Sequence, residues 1–323
     1  MTDRKCFVGI DTSNYTTSIA ACDESGRELL NLRHILEVKS GERGLRQSDA
    51  VFAHIKNLPE LIETAAGVLG DSSISAVGCS VTPRSVEGSY MPCFLVGRDA
   101  AMSLALGAKA PLFRFSHQQG HVMAAAYSSG HMDELLLAPF CAFHVSGGTT
   151  EILHVTPGSS ACPFDIELVG GTNDLNAGQA IDRTGVMMGL EFPCGRHIEA
   201  LSALCTEKVP KPRVSVDGLS CNLSGLESLA KNLYRQSGSR EMTSRFVLDF
   251  LAQTFLELSR NLLCRYPGER ILFAGGVMSN KYIQSILGSE LDALFAQPEH
   301  SADNALGIAL LCRSAYRSQT GGR

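Results

Sequence analysis

His117 and His121 stand four residues apart in Ser116-His-Gln-Gln-Gly-His. On a helix that spacing projects both imidazoles from one face, where they can grip one cation. Ser116 supplies a helix N-cap, and Val122-Met123-Ala124-Ala125-Ala126 an apolar continuation. Two imidazoles leave such a site open, so a third ligand has to come from elsewhere. A carboxylate suits a metal that keeps a free coordination position. Solvent-facing or core histidines are the competing reading of the same spacing. The zinc endopeptidase pattern places a general-base Glu directly after the first His; Gln118 stands there, which disfavours proteolysis.

Ser146-Gly147-Gly148-Thr149-Thr150 lies between two strand-like runs. Paired glycines there let backbone N–H groups approach phosphate oxygens, although a plain hairpin turn explains the same residues. Gly275-Gly276, between a strand and a helix, points helix-terminal amides at an anion or ribose. Asp182, in Gly178-Gln179-Ala180-Ile181-Asp182, can accept hydrogen bonds from ribose hydroxyls or be a surface carboxylate. Asp303 lies in Ser301-Ala302-Asp303-Asn304-Ala305, at the expected start of the last helix.

The elements that must position these residues alternate between strands and helices. Phe7–Ile10, Ser18–Ala21 and Arg27–Leu32 read as strands, with the polar run 11–17 as the first turn. Shifting the chain by 133 positions lays Phe7, Ser13, Thr16, Thr17 and Ile19 on Phe140, Ser146, Thr149, Thr150 and Ile152. Both windows are strand, small-polar turn, strand, which points to two lobes that each open with a hairpin. Helices are expected near 50–69, 97–109 and 243–265, a strand near 74–81 and another over 270–274, then a helix over 277–287. Residues 212–222 read as an ordered loop or short strands. The pattern is mixed α/β.

With 323 residues, 44% hydrophobic and 19% charged, the chain is globular and long enough for about two domains of roughly 150 residues. Its 33 acidic against 28 basic side chains give a net charge of −5, so nucleic-acid binding would need a local basic patch. The 11 cysteines include no Cys-x-x-Cys pair, which suits reduced thiols in a cytoplasmic protein. No apolar run approaches the roughly 18 residues of a membrane span, and no signal segment is apparent.

The motifs occur in a fixed order along the chain: His117-x-x-x-His121, Val145-Ser146-Gly147-Gly148, Ala177-Gly178-x-Ala180-x-Asp182 and Gly189-Leu190-x-x-Pro193-x-Gly195. They continue with Leu223-Ser224-Gly225-Leu226, Ala274-Gly275-Gly276-Val277-x-x-Asn280 and Asp303-Asn304-Ala305. In this order they resemble the TsaD family, the tRNA adenosine threonylcarbamoyltransferases, over about residues 7 to 312. The resemblance implies a two-lobed actin-like α/β fold of the Hsp70 and sugar-kinase class, with a nucleotide and metal cleft between the lobes. The expected boundaries put 1–112 plus 303–323 in the first lobe and 113–302 in the second.

By the same resemblance His117, His121 and Asp303 bind one divalent metal, iron or zinc. Ser146, Gly147, Gly148, Asp182, Gly195 and Asn280, with the Gly275-Gly276 turn, hold an adenine nucleotide or acyl-adenylate. The implied reaction moves a threonylcarbamoyl group from its adenylate to N6 of the tRNA adenosine beside the anticodon. No catalytic residue beyond the metal site is assigned. Partners by resemblance are tRNA and a homologous subunit docked lobe to lobe.

Several motifs, most of them in the first lobe, depart from the family pattern. Ser-Cys-Asp-Glu-Thr reads Ser13-Asn14-Tyr15-Thr16-Thr17, and Pro-Glu-x-Ala-x-Arg-x-His keeps only Ala50 and His54. Thr149 replaces a histidine, and Glu227 replaces the lysine after Ser-Gly-Leu. These changes imply weak tRNA binding by the isolated chain and no modification by it unaided. Two rival readings follow: a carbamoyltransferase acting on a small molecule, and a noncatalytic nucleotide-binding paralogue that pairs with a true synthase.

Overall fold

Phe7, Val8 and Ile10 carry the first strand into a buried sheet, and that sheet's order is repeated later in the chain. The computed structural model describes residues 4–37, 45–159, 161–298 and 305–321. The chain divides into two units, one of Met1–Leu136, Pro157–Ile166 and Ala302–Arg323, the other of Leu137–Thr156 and Glu167–Ser301.

The first unit runs β1 (Lys5–Thr12), β2 (Thr16–Asp23), β3 (Glu28–Ile35), α1 (Gln47–Leu69), β4 (Ser73–Thr82), α2 (Phe94–Ala108), β5 (Leu112–Ser116), α3 (His117–Ser128) and α4 (Met132–Leu135). The second holds β6 (Phe140–Val145), β7 (Thr150–Pro157), most of β8 (Phe164–Thr172), α5 (Ala177–Met187), α6 (Gly195–Ala203), β9 (Ser215–Asp217) and β10 (Ser220–Asn222). It continues with α7 (Ser224–Ser237), α8 (Arg240–Arg265), β11 (Arg270–Ala274), α9 (Lys281–Glu290) and β12 (Ala293–Phe295). Helix α10 (Leu306–Thr320) returns to the first unit.

The first sheet is ordered β3-β2-β1-β4-β5, and the second contains β8-β7-β6-β11-β12, with β10 and β9 added beyond β8. In both, a hairpin strand pairs in parallel with the next strand inward, β1 with β4 and β6 with β11. The repeat inferred at a shift of 133 positions is therefore a repeat of topology.

Two glycines let α10 lie directly on the first sheet. A Cβ on Gly9 would sit 2.5 Å from the Ala305 carbonyl oxygen, and one on Gly78 would sit 3.0 Å from that of Ile308. Helix α3 crosses α10 as closely, since a Cβ on Gly307 would lie 1.9 Å from the Gly120 carbonyl oxygen. That contact and the parallel pairing of β5 with β4 group β5, α3 and α4 with the first unit, whereas the sequence reading opened the second lobe at 113.

Two expectations about single elements shift. The polar residues Asp11 and Thr12 continue β1 and are buried, so the turn is only 13–15. The helix expected over 277–287 begins at Lys281, after a single 3-10 turn over Gly276–Ser279. All eleven cysteines are free thiols, most of them buried, and burial pushes Cys79 up to about 12.

Candidate metal and nucleotide sites

Helix α3 starts where the sequence indicates. Ser116 Oγ accepts the Gln119 backbone N–H at 3.2 Å, and Gln119 Oε1 accepts the Ser116 N–H at 2.8 Å, a reciprocal capping box. One turn apart on this helix, His117 Nε2 and His121 Nε2 are separated by 2.9 Å, with ring planes 81° apart. Adjacent ligands on one tetrahedral ion, bonded at about 2.0–2.1 Å, are separated by about 3.3 Å, so this pair fits a shared cation with a small displacement.

The other face of His117 is held from the sheet. Its Nδ1 lies 3.1 Å from Asp11 Oδ2 and 3.2 Å from Oδ1. The Asp11 side chain is 1% exposed, and Ser80 Oγ on β4 donates to its Oδ1. Asp303 lies outside the described residues, and among the described residues no third His, Cys, Asp or Glu completes a metal-binding group. Sequence reasoning missed Asp11 because it assigned the polar run to a turn. The available signal was an acidic residue directly after Phe7-Val8-Gly9-Ile10, an apolar run only four residues long that can continue as strand.

In the second unit the glycine motifs separate into two kinds. Gly275 has φ +99°, and a Cβ there would sit 2.3 Å from the Val145 carbonyl oxygen, so the β11 turn requires glycine for its own geometry. Gly178 is equally constrained. Its Cβ would lie 2.6 Å from Gly147 Cα, and its N–H donates to the Ser146 carbonyl at 3.2 Å, docking the start of α5 on the Ser-Gly-Gly turn. By contrast Gly147, Gly148, Gly195 and Gly276 would each direct a Cβ into open space. Packing does not explain those four. A cavity of about 390 Å³ opens beside Gly148, bounded also by Thr149, Glu151, Gly171 and Asn176.

Asp182 and Asn280 both serve the fold. Asp182 Oδ1 accepts the Cys194 N–H at 2.8 Å, tying α5 to the residue before Gly195. Burial raises the Asp182 carboxyl, against the lowering effect of that N–H. Asn280 is 8% exposed, and its Oδ1 accepts the Ile283 N–H at 3.0 Å as the N-cap of α9. Glu199 on α6 accepts the next backbone N–H, that of Lys281, at 2.6 Å. These bonds join the Gly195 and Asn280 motifs through α6. The Ser146 turn meets the Gly275 turn along the parallel β6–β11 pair.

Asp174, which sequence reasoning did not single out, anchors the Leu223-Ser224-Gly225-Leu226 motif. It accepts hydrogen bonds from Leu223 N at 2.8 Å, Ser224 N at 3.2 Å and Ser224 Oγ at 2.5 Å. Residues that depart from the family pattern also find partners. Glu227 pairs with Arg183 at 3.2 Å on the surface, and Asn14 Oδ1 accepts from Gln47 Nε2 at 2.5 Å. His54 is fully buried, with Nδ1 2.8 Å from Thr17 Oγ1.

A family model described as TsaD, tRNA N6-adenosine threonylcarbamoyltransferase, matches residues 36–310. A tRNA N6-adenosine threonylcarbamoyltransferase of Streptococcus pyogenes serotype M4 is 29% identical over 99% of this chain and 93% of its own. Among solved structures, HypF of T. kodakarensis matches 96% of this chain and 47% of its own, with TM-score 0.54 and 13% identity. Component A of the (R)-2-hydroxyglutaryl-CoA dehydratase of Acidaminococcus fermentans matches 96% and 98%, with TM-score 0.53 and 15% identity. With the duplicated sheet order, these likenesses give the fold as two-lobed, actin-like α/β.

Proposed function

The chain belongs to the TsaD family, the tRNA N6-adenosine threonylcarbamoyltransferases, and from that membership we propose that it transfers a threonylcarbamoyl group from an adenylate to N6 of a tRNA adenosine. In this reaction the N6 amine attacks the carbamoyl carbonyl carbon and a C–N bond forms. The C–O bond to the phosphate breaks, AMP departs with the electron pair, and the N6 proton passes to solvent.

His117, His121 and Asp303 would hold a divalent metal, iron or zinc by the family resemblance. Once bound, such an ion supplies Lewis acidity toward the carbamoyl carbonyl. The chain's own part is to set two imidazole nitrogens at one point, backed by a buried carboxylate. Ser146, Gly147, Gly148, Gly195, Gly275 and Gly276 would bring backbone groups to the adenylate, and amides fixed in the fold act on an anion without reorganising. Asp182 and Asn280 line the same ligand in this reading. Cytoplasmic residence follows from a tRNA acceptor, and pairing with a homologous subunit belongs to the same proposal.

The observation that carries the reading is the 2.9 Å approach of His117 Nε2 to His121 Nε2 within a chain of this family. Metal analysis tests it. The purified protein should carry close to one equivalent of metal and His117→Ala should lose it, whereas equal metal content in both would refute the site.

A further inference from the structure

We propose that Asp11 is the positioning residue of the histidine pair: its buried carboxylate keeps the proton of His117 on Nδ1 and thereby presents Nε2 to a cation as a lone pair. The inference rests on the metal reading above and adds to it a residue outside the ligand set.

An ionised carboxylate only accepts hydrogen bonds, so at 3.1 and 3.2 Å from Asp11 the His117 Nδ1 must be the donor. The neutral ring then has its lone pair on Nε2, the atom 2.9 Å from His121 Nε2. Asp11 lies on the opposite edge of the ring from that meeting point, so it orients a ligand and is not itself one. A carboxylate behind a metal-binding histidine fixes its tautomer and raises its basicity.

Asp11 is well placed for this. With 1% of its side chain exposed, it is shielded from the water that would otherwise compete for Nδ1. Ser80 Oγ donates to Oδ1, and Ser18 Oγ donates to the Asp11 backbone carbonyl at 3.1 Å. The three residues come from β1, β2 and β4, neighbours in one sheet. The carboxylate is thus fixed by the sheet while the imidazoles are fixed by α3. In the metal-free protein only one hydrogen can sit between the two Nε2 atoms. With His117 held in this tautomer, that hydrogen belongs to His121.

The test uses Co²⁺ alone, followed by its visible absorption and by competition with a chelator, together with ¹⁵N NMR of the metal-free histidines. Asp11→Asn keeps the volume, but with Ser80 still donating to Oδ1 it turns an N–H toward His117 Nδ1. The expected results are Co²⁺ binding weaker by about 10- to 100-fold and a His117 proton moved to Nε2. Ser80→Ala, which loosens the carboxylate without replacing it, should weaken Co²⁺ binding by less and leave the tautomer mixed. A folded Asp11→Asn protein with wild-type affinity and wild-type tautomer would overturn the proposal. Failure of the wild type to take up Co²⁺ would instead refute the metal reading, and the tautomer measurement would still decide the role of Asp11. If Asp11→Asn does not fold, a Ser80→Ala protein with an unchanged tautomer and affinity overturns the proposal.

Discussion

Gly148 has neither a positive φ nor a close neighbour to require it, so alanine there costs the free fold little. If the turn instead cradles a phosphate, a methyl group enters the space of the ligand. AMP or ATP at millimolar concentration should therefore raise the thermal midpoint of the wild type, because a ligand bound only to the folded state stabilises it. Gly148→Ala should keep its ligand-free midpoint and lose the nucleotide response; an unchanged response would remove this turn from the site. Asp182→Ala and Asn280→Ala should also lose the response. Each also gives up a hydrogen bond that ties or caps a helix, a cost of about 1 kcal/mol visible without ligand. His117 and His121 were legible in the sequence because helical spacing alone puts them on one face. Asp11 was not, because its role depends on a strand pairing and on a helix a hundred residues away.

At the scale of elements, the duplicated hairpin was legible because two apolar runs flanking a Ser-x-x-Thr-Thr turn recur. The parallel partners β4 and β11 were found as strands, but their pairing is nonlocal and leaves no mark on periodicity. The start of α9 was misjudged because Val277 and Met278 are buried apolar residues that fit a helix as well as the 3-10 turn they occupy. Asp174 shows how a loop fastens an element, by bonding to the first amides of α7. Burial alone would raise its carboxyl; the hydrogen bonds from Ser224, Leu223 and Leu175 outweigh it and hold the group down at about 2. A carboxyl held below its unfolded value of about 3.9 stabilises the fold above that pH, and the contribution disappears as pH falls through about 2. Urea unfolding at pH 7 should therefore show Asp174→Asn destabilised by about 1 kcal/mol. Near pH 2 the difference from wild type should close. A gap of equal size at both pH values would mean that the ionised carboxylate is not what fastens the helix.

For the whole molecule, the net charge of −5 bears on the acceptor. A surface that tracks phosphates needs clustered Lys and Arg and loses affinity steeply with salt. Here Glu227 is paired with Arg183, so one basic side chain near the Asp182 motif is already engaged with a carboxylate. The isolated protein should bind tRNA weakly, with association abolished by moderate salt, and should not modify it unaided; tight salt-resistant binding would contradict this. Among the described residues no helix is long and apolar enough to cross a membrane. The transfer itself is measured by mass spectrometry of tRNA nucleosides. Metal-loaded protein, threonylcarbamoyl-adenylate and unmodified tRNA would be incubated with a cell extract that lacks its own transferase but supplies companion subunits. The predicted result is N6-threonylcarbamoyladenosine formed with AMP in equal amounts, absent with extract alone and absent with His117→Ala. Release of AMP without any modified adenosine, with the carbamoyl group found on a small amine or hydroxyl compound, would make the protein a small-molecule carbamoyltransferase and refute transfer to tRNA.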